Sequence, residues 1–273
     1  MTIAYLSKKE INLFHKGYPQ IFHLDAISQK PKAKIIISPG IATRHLHLKD
    51  PFIGYQLAKL NYEVFVINTL DAQDKNNPFE RIDLTLKAHQ IIKQQNNSKI
   101  PIIGLGHSLG CIDLLRSRPE ELKACIFLSP GFRGDKRHFK INDFFNFFWN
   151  GLLDKDLAVY MHGHSSRPEL SDYKTDLINP RFLWNLQKYA HGLEKKAFWP
   201  LNKPCFAWLG SSGESDGIMK LKQPLIWANY MQEANKDFKL IVENGIGHEP
   251  GWKQSIHAHD LAITIDQWLV SRL

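Results

Sequence analysis

Short apolar runs alternate with longer amphipathic segments along most of the chain. The stretch Ile11 to Ile27 holds two apolar runs around Gly17-Tyr18-Pro19 and reads as two strands joined by a turn. Lys34-Ile35-Ile36-Ile37-Ser38 is a β-branched run stopped by Pro39-Gly40, the pattern of a buried strand. Glu63 to Ile67, Pro101 to Leu105, Ala124 to Leu128, Pro204 to Leu209 and Lys239 to Val242 repeat that pattern. Between them, Pro51 to Leu60 reads as a short helix, with Asp50 as its N-cap and Pro51 at the first helical position. Phe79 to Gln95 reads as a longer helix with Leu84, Ala88, Ile91 and Ile92 on one side. Leu109 to Arg116, Ile218 to Met231 (disturbed by Pro224) and Trp252 to Val270 complete the helical set. Strands alternating with helices predict an α/β fold built on a mostly parallel sheet of about eight strands, the first two antiparallel to each other.

From 132 to 200 the alternation stops, and the segment holds no clear strand. It holds instead the run DFFNFFWNGLL, Asp143 to Leu153, followed by Tyr160, Phe182, Trp184, Tyr189, Phe198 and Trp199. A structureless loop of that length is uncommon inside a compact domain, so a helical insertion is expected. The chain then divides into a first core part, 1–131, a helical cap, 132–200, and a second core part, 201–273.

Composition narrows the class. Of 273 residues, 43% are hydrophobic and 23% charged, ordinary values for a globular chain. No apolar run reaches the length of a membrane span. Lys8, Lys9 and Glu10 interrupt the N-terminus before an apolar signal core can form. Cys111, Cys125 and Cys205 are widely spaced and odd in number, which predicts reduced thiols and a cytoplasmic protein. The net charge of +8 is spread over short runs at Lys30 to Lys34, Arg133 to His138 and Lys195-Lys196. None interleaves with aromatics as in a nucleic-acid module, so a solvated basic surface and no nucleic-acid partner are expected.

The strongest chemical signal is Gly106-His107-Ser108-Leu109-Gly110, a GxSxG pattern between an apolar run and a helix. Strand, sharp turn and helix in that order form a nucleophile elbow. The two glycines would let strand and helix backbones approach closely, and the helix start would aim amides at a developing oxyanion. A serine hydroxyl needs a histidine base, and the base needs an acid to orient it. In this architecture the acid follows the nucleophile in the chain and the histidine comes last. Asp216, in the Gly/Ser loop after Phe206 to Leu209, is the expected acid, with Glu214 of the same loop as the alternative. His248, in Ile246-Gly247-His248-Glu249-Pro250 after the last strand, is the expected base. The backbone amides of Leu109 and Ile41 are the expected oxyanion donors.

On these residues the chain resembles the α/β-hydrolase superfamily, and within it the lysophospholipases, monoacylglycerol lipases and related esterases. SPGIA (Ser38 to Ala42), GHSLG at the elbow, FLSPG (Phe127 to Gly131) and GIGHEP around the histidine carry the resemblance. It differs where Pro39 replaces a common histidine, and where Asn68-Thr69-Leu70-Asp71 replaces an Asp-x-Arg-Gly-x-Gly type segment. The resemblance implies the α/β-hydrolase fold, a cap inserted after the sixth strand, and hydrolysis of small acyl esters. The same triad would also serve a thioesterase, a peptidase or an acyltransferase, and the fold also serves non-catalytic binding proteins.

Phe144, Phe145, Phe148 and Leu152 recur near helical spacing, widened by Phe147 and Trp149. Such a stripe would pack the cap on the core, line an acyl pocket with Phe144, Phe145, Phe148 and Trp149, or touch a membrane or lipid surface. His45-Leu46-His47, His162-Gly163-His164 and His257-Ala258-His259 each read HxH. No acidic or cysteine set accompanies them at a known spacing, so neither a metal nor a cofactor is expected. Cys111 is expected to be a buried thiol rather than a reactive one.

Overall fold

The structure, a computed structural model, describes residues 8–11, 19–40, 46–48, 50–69, 77–96, 99–131, 157–158, 177–178, 185, 189, 203–211, 213, 221–251 and 255–273. Its centre is an eight-stranded sheet. The sheet strands are β1 (Lys8–Ile11), β2 (Ile21–Leu24), β3 (Lys34–Ser38), β4 (Glu63–Ile67), β5 (Ile102–His107) and β6 (Leu122–Leu128). A separate two-stranded ladder, β7 (Leu157–Ala158) with β8 (Leu177–Ile178), precedes the last two sheet strands, β9 (Cys205–Ser211) and β10 (Phe238–Asn244). The spatial order is β1-β2-β4-β3-β5-β6-β9-β10. β2 runs antiparallel to both of its neighbours, and every other pairing in the eight-stranded sheet is parallel.

Among the described residues, the alternation yields the helices α1 (Ile53–Lys59), α2 (Glu80–Gln94), α3 (Leu109–Ser117), α4 (Lys222–Ala234) and α5 (Ser255–Val270). β3 and β5 are buried at every position, as parallel strands covered on both faces must be. Side chains alternate across the sheet: Ile36, Phe65, Cys125 and Ala207 join the core under α2, α3 and α4. Ile35, Ile37, Val64, Ile126 and Trp208 join the core under α1 and α5. At the β10 edge the strand is half exposed, and Lys239 stands over the Phe206 ring.

Three expectations are corrected. α1 starts at Ile53 rather than Pro51, because Phe52 takes the N-cap position in extended conformation. Asp50 does not cap it; its Oδ1 accepts a hydrogen bond from Gln56 Nε2 at 2.8 Å. α4 starts only at Lys222, so Pro224 falls in the first turn, where its missing N–H has no intrahelical partner to lose. The segment expected to be free of strands contains the β7–β8 ladder, pairing Leu157 with Ile178 and Ala158 with Leu177. Its Tyr189 lies fully buried in the core beside α3. Among the described residues, no helix is long and apolar enough to cross a membrane.

Candidate active site

Ser108 sits between the last residue of β5 and the first of α3, with φ 52° and ψ −118°. A non-glycine residue in that conformation is strained and persists only where its surroundings hold it. Here the Ser108 amide donates to the Leu128 carbonyl at 2.9 Å, and the Ser108 carbonyl accepts from the amides of Gly131 at 2.9 Å and Cys111 at 3.1 Å. The end of β6 and the chain after it thus hold the turn. The glycines of the motif are required by contact. A Cβ on Gly106 would lie 2.5 Å from Cys111 Cα, and one on Gly110 would collide with the Ser38 carbonyl. The result is a half-buried Ser108 above a fully buried strand, followed at once by Leu109 as the first helical residue. The first amides of a helix have no acceptor within it and carry its partial positive charge.

His248 lies in the loop that follows β10 and is buried. Its ring centroid is 5.3 Å from that of His107, the residue before Ser108. The structure therefore brings the expected base to the strand end that presents the expected nucleophile. Asp216, Glu214, Ile41, Phe144, Phe145, Phe148 and Trp149 lie outside the described residues. The Cys111 thiol is buried and donates to the carbonyls of Gly106 at 3.1 Å and Leu128 at 3.4 Å. Burial pushes its pKa well up, so it is an inert packing group.

Two buried polar clusters flank the elbow, and neither is evident from residue spacing. In the first, Arg81 of α2 is wholly buried and forks onto Asp113 of α3, at 2.9 Å from Nε and 2.6 Å from a terminal nitrogen to Oδ2. Its remaining donors reach Thr69 Oγ1 and the Pro39 carbonyl, each at 2.7 Å. Tyr189 donates its hydroxyl to Asp113 Oδ1 at 2.7 Å. Burial raises the Asp113 carboxyl above its ordinary value, although the Arg81 guanidinium and the Tyr189 hydroxyl oppose the shift. Thr69, one of the residues by which the chain differs from the resembling proteins, is thus an acceptor for a buried cation. Pro39 directly follows β3, so this cluster anchors the β3 exit to the elbow helix.

In the second cluster, His47, from the short 3-10 turn Leu46–Leu48, meets His107 and Glu249. His107 Nε2 is 2.8 Å from Glu249 Oε2, and neither side chain is exposed. The rings of His47 and His107 meet edge to face at 5.2 Å. Burial lowers the pKa of His47 to about 4, leaving it neutral at neutral pH. Burial acts to raise the Glu249 carboxyl, but the combined pull of His107, His47 and His248 outweighs it and holds the group below its ordinary range. Glu249 is adjacent in sequence to His248, and His107 to Ser108; that adjacency was the one signal of it in the sequence.

No family profile matches the sequence, and no curated protein matches it. Solved structures do match over nearly the whole chain. A carboxyl esterase from Bacillus coagulans aligns with a TM-score of 0.69 at 15% identity, over 98% of each chain. A monoglyceride lipase from Saccharomyces cerevisiae aligns with a TM-score of 0.67 at 12% identity, over 100% of this chain and 96% of that one. The mouse alpha/beta hydrolase domain-containing protein 10 aligns with a TM-score of 0.58 at 15% identity, over 97% and 99%. The strand order, the elbow and these likenesses together give the conclusion that the chain has the α/β-hydrolase fold.

Proposed function

We propose that the protein is a serine hydrolase that cleaves carboxylic esters. The observation that carries this reading is Ser108, held at φ 52° between β5 and α3 with His248 beside the same strand end. A serine held in that turn stands clear of the sheet, where a carbonyl carbon can reach it. His248 takes the hydroxyl proton as Oγ bonds to the acyl carbon. It then returns that proton to the departing alcohol oxygen as the ester C–O bond breaks. Water, deprotonated by His248, attacks the acyl-serine, and the carboxylic acid leaves as Oγ regains a proton. Asp216 orients the imidazole and stabilises its cationic form. The amides of Leu109 and Ile41 bind the tetrahedral oxyanion. No step draws on a cofactor.

The substrates fitting this reading are acyl esters of small alcohols. The aromatic residues of 132–200, Phe144, Phe145, Phe148 and Trp149 among them, supply apolar surface for an acyl chain. The carboxyl esterase and monoglyceride lipase that share the fold favour the same class. Hydrolysis of a p-nitrophenyl ester series, from acetate to palmitate, tests it. We expect turnover with a preferred chain length, and a loss of kcat of about 10⁴-fold or more in Ser108→Ala and His248→Ala. Undiminished turnover in Ser108→Ala would overturn the assignment.

A further inference from the structure

The cluster of His47, His107 and Glu249 has no role in the ester chemistry, yet its His107 ring lies 5.3 Å from that of His248, and His107 directly precedes Ser108 in the chain. It combines three properties that buried polar groups do not normally combine. First, it is dry: His47 and His107 are 0% exposed and Glu249 1%. Second, its polar atoms lack hydrogen bonds: both ring nitrogens of His47, both of His107 and both carboxylate oxygens of Glu249 are without a partner of hydrogen-bond geometry. More than nine in ten buried polar groups have one, and each exception calls for a cause such as a bound water or ion. Third, the three side chains offer ligand atoms that all lie within 4.8 Å of one another.

The approach of His107 to Glu249 is informative. The two atoms are 2.8 Å apart, a hydrogen-bond distance, but their directions do not make one. Two ligands of a single ion show that relation, because each lone pair points at the ion and not at its neighbour. Ligand atoms around one tetrahedral zinc lie about 3.3 Å apart, so closure here asks for shifts of about 1.5 Å or less.

We propose that His47, His107 and Glu249 form a binding site for a divalent transition metal ion, zinc by its donor set, beneath the nucleophile turn. Two imidazoles and a carboxylate form a borderline donor set that suits zinc rather than calcium or magnesium, which take oxygen ligands. A water completes the tetrahedron. The ion joins the 3-10 turn after the β3 loop, the end of β5 and the loop after β10. It thereby fixes the segments that carry Ser108 and His248 without touching the substrate. The proposal does not depend on the esterase reading, because its test reads metal and not turnover.

The test is metal analysis of full-length protein made without a polyhistidine tag, dialysed after incubation with zinc, beside Glu249→Gln, His47→Ala and Ser108→Ala. We expect one zinc per chain in the wild type and in Ser108→Ala. Zinc content should fall at least about tenfold in Glu249→Gln and His47→Ala. The thermal midpoint should drop on chelation in the wild type and not in those two variants. Cobalt added to the wild type gives the visible absorption of a tetrahedral N/O site, a readout that stands if a variant fails to fold. Wild-type protein that retains no zinc, shows no zinc-dependent midpoint and develops no cobalt spectrum would overturn the proposal.

Discussion

The two buried polar clusters beside the elbow make a controlled contrast. Both are dry, both are built from side chains far apart in sequence, and both join a carboxylate to a cationic or basic partner. Around Arg81 and Asp113 the hydrogen bonding is well supplied: the guanidinium has Asp113, Thr69 and Pro39 as acceptors, and Asp113 has Tyr189 as a further donor. Around His47, His107 and Glu249 the polar atoms have no partners in hydrogen-bond geometry. A satisfied network rigidifies a fold, whereas a half-satisfied one is costly and needs a further reason to exist. The first cluster therefore reads as architecture, holding the β3 exit against α3. The second reads as a place for something else, and it is the one whose members adjoin Ser108 and His248.

Breaking the satisfied cluster should have the largest effect on stability. Asp113→Ala leaves the Arg81 guanidinium buried without its counter-ion, a loss of about 3–5 kcal/mol in urea unfolding. Glu249→Gln in zinc-free protein removes a carboxylate that has no hydrogen bond to lose, and should cost clearly less. Equal losses would erase the contrast. Next comes Tyr189→Phe, which removes one donor to a charged acceptor while Arg81 remains, and should cost about 2 kcal/mol by the same measurement. Because Tyr189 belongs to the segment between β6 and β9, a smaller effect would mean that this segment is not anchored through it.

The smallest effect falls on a third pair, at the rim of the core, where His89 Nδ1 lies 2.9 Å from Glu121 Oε1. Burial pushes the His89 pKa below its ordinary 6.5, although the Glu121 carboxylate opposes the shift. For Glu121 burial acts to raise the carboxyl, but its hydrogen bonds with His89 and the backbone and the charges of His89 and Lys93 together hold it below the ordinary 4.5. Both groups bind protons less readily in the folded chain than in the unfolded one. Their contribution is fully present above pH about 6.5. The His89 part is lost as pH falls below that value, and the Glu121 part as pH falls below about 4.5. Glu121→Gln should therefore flatten the lower limb of a stability–pH curve, with a change of about 1 kcal/mol near pH 7.

Much of the scaffold was legible in the chain because burial on both sheet faces leaves uninterrupted apolar runs. β3 and β4 were readable to the residue for that reason, and GxSxG marked the elbow because the close approach at Gly106 and Gly110 excludes any Cβ. The errors came where a local rule met a tertiary preference. Asp50 looks like a cap but bonds to Gln56, and Pro224 looks like a breaker but sits where a helix tolerates it. The polar clusters were illegible for a different reason. Arg81 and Asp113 lie on amphipathic helices, where charges ordinarily meet water. His47, His107 and Glu249 converge only through the order of the strands, so no spacing along the chain announces them. The HxH repeat at His45 pointed to a neighbour in sequence, while the neighbours His47 finds in space are His107 and Glu249.

The central claim is that the turn between β5 and α3 presents an activated serine. Intact-mass analysis after treatment with a fluorophosphonate tests it most directly, followed by peptide mapping of the adduct. The account predicts a single adduct on Ser108 in the folded wild-type protein, none in Ser108→Ala, and strongly slowed labelling in His248→Ala. Folded wild-type protein that takes no label, or that takes it equally in Ser108→Ala, would contradict it.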